Sequence, residues 1–177
     1  QGWEDVSRGR HGKVISWGGA GRALCAGHDL KERQAKGAAP DGGAAAIKDV
    51  FDQCAALMQL LPRLPQPVID QVHGIATAAG CQLVASCDLA VAAGTARFGV
   101  NGVNIGLFCS TPMVALSRNI PRKKAFELLT TGQFCLAGEA ERLGLINRAV
   151  PDEALAEETL ELAQTLAGKL ASAVKIG

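Results

Sequence analysis

The chain has 177 residues, 48% of them hydrophobic, and a formal net charge of +1, enough for one domain with a real core and without a sign of a second. A near-neutral balance without a sustained basic stripe removes the electrostatic case for nucleic acid. Six scattered cysteines, without a C-x-x-C or a histidine pair at ligand spacing, remove the case for a metal and read as reduced, mostly buried thiols.

Gln1–Gly12 is a terminal segment without periodicity, and its basic tract from Arg8 to Lys13 reads as solvated. Lys13–Trp17 is predicted to be a strand. Gly18-Gly19-Ala20-Gly21 is a turn, since it lacks the Lys-Ser/Thr ending of a phosphate loop. Ala23-Leu24-Cys25 is a short buried strand, followed by a loop over Ala26–Leu30 and a helical turn from Lys31. Gly37–Ala46 is rich in Gly, Ala and Pro and is expected to be a mobile surface loop.

Ile47–Leu61 carries Ile47, Val50, Phe51, Cys54, Leu57, Met58 and Leu61 at spacings of three and four, which predicts an amphipathic helix with its stripe in the core, stopped by Pro62. Pro67–Val72 is a strand that turns at His73-Gly74. The small residues Ala76–Gly80 then open a helix to about Cys87, a corner without bulk where a ligand can approach unpaired N–H groups. Ile75–Ala93 is apolar, but Gln82 and Asp88 break it, so it reads as buried core rather than a membrane span.

Leu89–Ala93 and Ala96–Phe98 are two further strands, and Val100–Ser110 is a loop. Helices follow over Thr111–Asn119 and Arg122–Thr130, either side of Pro121, and over Gly138–Leu143. Ile146–Val150 is extended, and Pro151–Ala171 is one long helix with Leu155, Thr159, Leu162, Leu166 and Leu170 on one face. Strands alternating with helices place the chain in the α/β class.

The segment Ala23-Leu24-Cys25-Ala26-Gly27-His28-Asp29-Leu30 resembles the A-F-x-A-G-x-D-[LI] loop of the enoyl-CoA hydratase/isomerase (crotonase) superfamily. His73-Gly74 through Ala78-Ala79-Gly80-Cys81-Gln82-Leu83 to Cys87-Asp88-Leu89 resembles its G-x-x-x-G-G-G-x-E-[LF]…C-D-[ILF] segment. The pattern runs from about Lys13 to Ala171. It implies a crotonase-like spiral of ββα units over residues 13–150, with a helical C-terminal portion over 151–177 that is shorter than the family's.

In that family an acyl-CoA thioester is held with its carbonyl oxygen between two backbone N–H groups, and the matching donors here are those of His28 and Ala79. Such a donor is typically worth roughly 10²–10³ in rate. The resemblance further implies that Ala26, His28, Asp29, Leu30, Lys31, Ala78, Ala79 and Gly80 line the substrate site. Asp29 holds its loop, Asp88 is a buried orienting group, His73 is structural, and the His28 side chain is either turned elsewhere or an acid–base group of the pocket. It implies no metal and no cofactor beyond the coenzyme A of the substrate, no membrane partner, a homotrimer or dimer of trimers, and a cytoplasmic protein, or a mitochondrial-matrix one in a eukaryote.

Gln82 and Gly102 stand where hydratases carry the two glutamates that position water and move its proton. Neither residue is an acid or base, and each such group contributes about 10²–10⁴-fold, so two-glutamate hydration is not expected. Asn101, Asn104, Cys109 and Ser110 are the neighbours that could compensate. Three readings follow: a family member acting on acyl-CoA in fatty-acyl-CoA metabolism with altered acid–base residues, a non-catalytic acyl-CoA-binding or regulatory homologue, or a degraded or truncated homologue with no intact pocket. Ala79 in place of serine at the helix opening argues against a nucleophilic-serine enzyme.

Overall fold

A computed structural model describes residues 12–29, 31, 35 and 41–176. Eight strands form two four-stranded sheets. The first contains β1 (Ile15–Gly18), β3 (Val68–Val72), β5 (Leu89–Ala93) and β8 (Arg148–Val150) in that order, all parallel. The second contains β2 (Ala23–Cys25), β4 (Ile75–Thr77), β6 (Arg97–Gly99) and β7 (Cys135–Leu136), parallel except for the last pair. Three consecutive strand pairs thus place one strand in each sheet, and helices carry the chain to the next turn. This is the ββα spiral that the sequence pattern implies.

Helices α1 (Ala44–Leu60) and α2 (Ala79–Ser86) separate the turns of the spiral. After β6 come α3 (Ser110–Asn119), α4 (Arg122–Thr131), α5 (Ala137–Leu143), α6 (Leu155–Ala167) and α7 (Ala171–Ile176). Strands β3 and β5 are covered on both faces, which is why LAVAA reads as a continuous apolar run, and in VIDQV the same cover buries Asp70 among apolar residues. Among the described residues no helix is long and apolar enough to cross a membrane.

Several expectations need correction. Ile75–Thr77 is a strand of the second sheet, so the helix opens at Ala79; alanines suit the close packing between β2 and β6, and their helix propensity is overridden by tertiary context. Val100–Ser110 contains a 3₁₀ turn over Asn101–Ile105. The long C-terminal helix is broken after Ala167, where Gly168 weakens it, and Leu170 is 72% exposed instead of completing the apolar face. Residues 37–40 of the anticipated loop lie outside the described residues, and α1 begins at Ala44 instead of Ile47.

Asp88 is exposed rather than buried. It still orients the chain, because its Oδ2 accepts the Val68 N–H at 2.8 Å and ties the end of α2 to the start of β3. The buried acid among the described residues is Asp70, at 0% exposure in the centre of β3, and its two carboxylate oxygens meet no donor among them. Burial pushes its pKa up from 3.8 to about 7. Burial also pushes the Cys81 and Cys135 thiols up, to about 12 and about 11, and all six cysteines are free thiols.

Candidate functional site

The site begins where two bends nearly touch. A Cβ on Gly80, in the first turn of α2, would stand 2.1 Å from the Cys25 carbonyl oxygen, so only glycine lets the helix lie against the end of β2. In the loop that follows, a Cβ on Gly27 (φ +90°) would come within 3.0 Å of the Ala78 Cβ and 3.6 Å of the Ala79 nitrogen. The small residues at this corner are therefore a condition of contact between the loop and the helix N-terminus.

Ala78 sets the direction of α2. It is the one non-glycine with positive φ among the described residues (φ 51°, ψ −118°), a strained conformation for a residue with a Cβ. Its N–H donates to the Gly99 carbonyl at 2.9 Å, which fastens the helix start to the end of β6, and its own carbonyl accepts the Gln82 N–H at 3.1 Å. The next amide, Ala79 N–H, finds no acceptor among the described residues. It lies at a helix N-terminus, where unpaired donors and the aligned peptide dipoles favour negative charge.

This corner opens into a cavity of about 380 Å³. Ala26, His28, Ala78, Ala79 and Gly102 line it, which unites five of the residues singled out from the sequence. The half-buried His28 ring packs edge-to-face on Phe51, 5.5 Å between centroids at 71°, so the imidazole is turned toward α1. Phe51 itself is 40% exposed and lines the cavity, which corrects its assignment to the core stripe. Thr77 Oγ1 donates to Asn101 Oδ1 at 2.8 Å, and both residues face the cavity.

Other expected site residues stand apart. Asp29 Oδ1 accepts the Lys31 N–H at 2.8 Å, an Asx-type turn that shapes the loop, and both residues are exposed and outside the cavity wall. Leu30 lies outside the described residues. Gly80 is behind the wall, against Cys25. Gln82 is buried at 8% exposure one helical turn beyond Ala79, where it lines a neighbouring cavity, and its Oε1 has no donor.

Gly102 lines the cavity, but a Cβ there would meet the Leu107 carbonyl oxygen at 2.7 Å and the Cys109 Sγ at 2.8 Å. The space a side chain would need is already filled. The remaining wall comes from the segment Asn104–Pro112, with Leu107 and Phe108 45% and 49% exposed; a loop of exposed apolar residues beside glycines was the signal available for it in the sequence. Among the described residues that line the cavity there is no carboxylate, lysine or arginine, and His28 and Cys109 are its only titratable side chains. The described residues contain no cluster of His, Cys, Asp and Glu able to hold a metal ion.

The enoyl-CoA hydratase/isomerase family matches residues 4–176. The mitochondrial enoyl-CoA hydratase domain-containing protein 3 of Rattus norvegicus is 48% identical over 165 residues, 93% of this chain and 53% of that protein; the Homo sapiens counterpart is 45% identical with the same coverage. The chain thus spans about half the length of the curated relatives it matches. Among solved structures, an enoyl-CoA hydratase of Mycobacterium smegmatis superposes with a TM-score of 0.92 at 48% identity, over 99% of this chain and 66% of that one. Human enoyl-CoA hydratase domain-containing protein 3 superposes with a TM-score of 0.90 at 42% identity, over 99% of this chain and 68% of that one.

Proposed function

The chain belongs to the enoyl-CoA hydratase/isomerase family, and from that membership we propose that it binds an acyl-CoA thioester with the thioester oxygen at the start of α2. The observation that carries this reading is the Ala79 N–H, without an acceptor among the described residues, at a strained helix start that opens into a cavity. The N–H of His28, on the loop packed against Ala78 and Ala79, is the second donor of the cradle. Developing negative charge on the oxygen is favoured there because donors already aimed at it need no reorganisation. Thr77, Asn101, Ser110 and Thr111 offer neutral polar contacts along the acyl group.

What the cradle does next depends on proton transfer. The described wall supplies no carboxylate to activate water, so the chemistry proposed is enolate-type stabilisation of a thioester in fatty-acyl-CoA metabolism, with His28 as the one imidazole at hand and alkene hydration slow or absent. A second reading, a non-catalytic acyl-CoA binder, is favoured by Gly102, whose side-chain space is closed by Leu107 and Cys109. Calorimetry with butyryl-CoA and turnover assays on crotonyl-CoA and a 3-enoyl-CoA separate the two. Binding with turnover supports the first, binding alone the second, and no binding refutes both.

The mitochondrial names of the relatives support a matrix location in a eukaryotic host, and import of a tagged precursor tests it. A homotrimer is proposed by likeness to the family and is checked by light scattering of the purified protein.

A further inference from the structure

We infer that the acyl site continues beyond the cradle as a trough whose far end recognises a negatively charged acyl terminus, so that the preferred ligand is a medium-chain thioester carrying an ω-carboxylate. This rests on the thioester reading above and adds the class of acyl group.

A second cavity, of about 760 Å³, lies beside the first and shares Thr111 with it. The two are successive stretches of the same three helix faces. On α2 the wall passes from Ala79 in the first cavity to Gln82 and Ser86 in the second, at spacings of three and four. On α1 it passes from Phe51 to Ala55 and Met58, and on α3 from Thr111 to Val114 and Arg118. Helical rise sets the run along α2 from Ala79 to Ser86 at about 10 Å. Met58, Ala55, Ala85, Val114 and Ala115 make the middle apolar, as a methylene chain requires.

Two features mark this stretch as more than a gap between helices. Gln82 is 8% exposed in its wall with an Oε1 that has no donor among the described residues, a buried polar group that structures seldom leave unsatisfied. The far end carries two exposed guanidinium groups, Arg63 in a three-residue 3₁₀ turn after α1 and Arg118 in the last turn of α3. Arg63 reaches only Gln59 Oε1, at 3.4 Å, and Arg118 has no hydrogen bond or ion pair among the described residues. The one acid there, Asp88, already has its Oδ2 engaged by the Val68 N–H. An anion at that end meets two guanidinium groups against one carboxylate.

The test compares an ω-carboxyacyl-CoA with the unsubstituted acyl-CoA of equal chain length, by calorimetry on the whole chain, as wild type and as Arg63→Ala/Arg118→Ala. Exposed charge pairs are worth little each, so a preference of roughly 3- to 10-fold for the carboxylate is expected at low salt, shrinking at 0.5 M salt. The double variant should bind both ligands equally, with its affinity for the unsubstituted thioester unchanged. Equal binding by the wild type, or a preference that survives the double substitution, overturns the inference and leaves the thioester reading standing. Failure of both ligands to bind overturns that reading and this one together.

Discussion

Asp70 makes the fold pH-sensitive in a direction opposite to that of most carboxylates. Its side chain is wholly buried in the central strand of the first sheet, without a donor, and burial alone raises its pKa from 3.8 to about 7. The folded-state value therefore lies above the unfolded one. Below about pH 4 the group is protonated in both states and costs nothing through ionisation. As pH rises from there the unfolded chain gives up its proton and the folded one does not, so stability falls until the folded group ionises near pH 7. At 1.36 kcal/mol for each tenfold in proton affinity, the rise is worth about 4 kcal/mol at its full extent. Replacing Asp70 by Asn removes the titration while keeping the shape. Urea unfolding of both proteins at intervals between pH 4 and pH 8 reads the effect as the difference between the two stability curves, which cancels every other titrating group. That difference should move by about 4 kcal/mol in favour of the variant across this range. Parallel curves would refute the reasoning and mean that Asp70 is solvated or paired in solution.

Four further outcomes are expected. Ala78→Gly relieves a positive φ and should stabilise the fold by about 1 kcal/mol in urea unfolding without loss of thioester binding, whereas clear destabilisation would show that the strain is absent. Gly80→Ala forces a Cβ to within 2.1 Å of the Cys25 carbonyl oxygen and should cost about 3 kcal/mol or more and abolish binding; near-wild-type melting would contradict the contact. Gln82→Glu with Gly102→Glu should fail to create hydratase activity on crotonyl-CoA, because the second side chain collides with Leu107 and Cys109; measurable hydration would show that this segment yields. Phe51→Ala removes the ring against which His28 packs and part of the cavity wall, and should weaken butyryl-CoA binding roughly 10-fold, read by calorimetry, for a truncated anchor of this size.

The two small-residue bends could be read from the chain because their composition is dictated by contact. Gly27, Ala78 and Gly80 have to be small where loop meets helix, and that requirement shows in the residues themselves. The spiral itself is what the resemblance implied, while LAVAA shows in its own residues the continuous apolar pattern of a strand covered on both faces. The trough was not legible, since it is assembled from one face each of α1, α2 and α3, and residues such as Phe51 and Met58 obey the same periodicity whether they fill a core or line a cavity. Asp70 was missed because a single acid in a short strand gives no sign of whether its face is covered. Asp88, next to a helix end, was misplaced as buried although its bond to the Val68 N–H is real.

Under the proposed reading, in which Gln82 and Gly102 stand at the positions of the two glutamates, they leave the site without acid–base groups for physically different reasons. Gln82 is buried, and its amide oxygen meets no donor among the described residues. An amide there cannot shuttle protons, but it is neutral, so it avoids the desolvation cost that a carboxylate would carry in the same place. At Gly102 the volume that a side chain would need is occupied by the Leu107 carbonyl and the Cys109 thiol. A single substitution can place a carboxylate at position 82, whereas one at position 102 collides with Leu107 and Cys109. Under the proposed thioester reading, the strained Ala78 and the Ala79 amide, which has no acceptor among the described residues, supply the oxygen cradle, while Gly102 leaves no room in the same wall for an acid–base side chain.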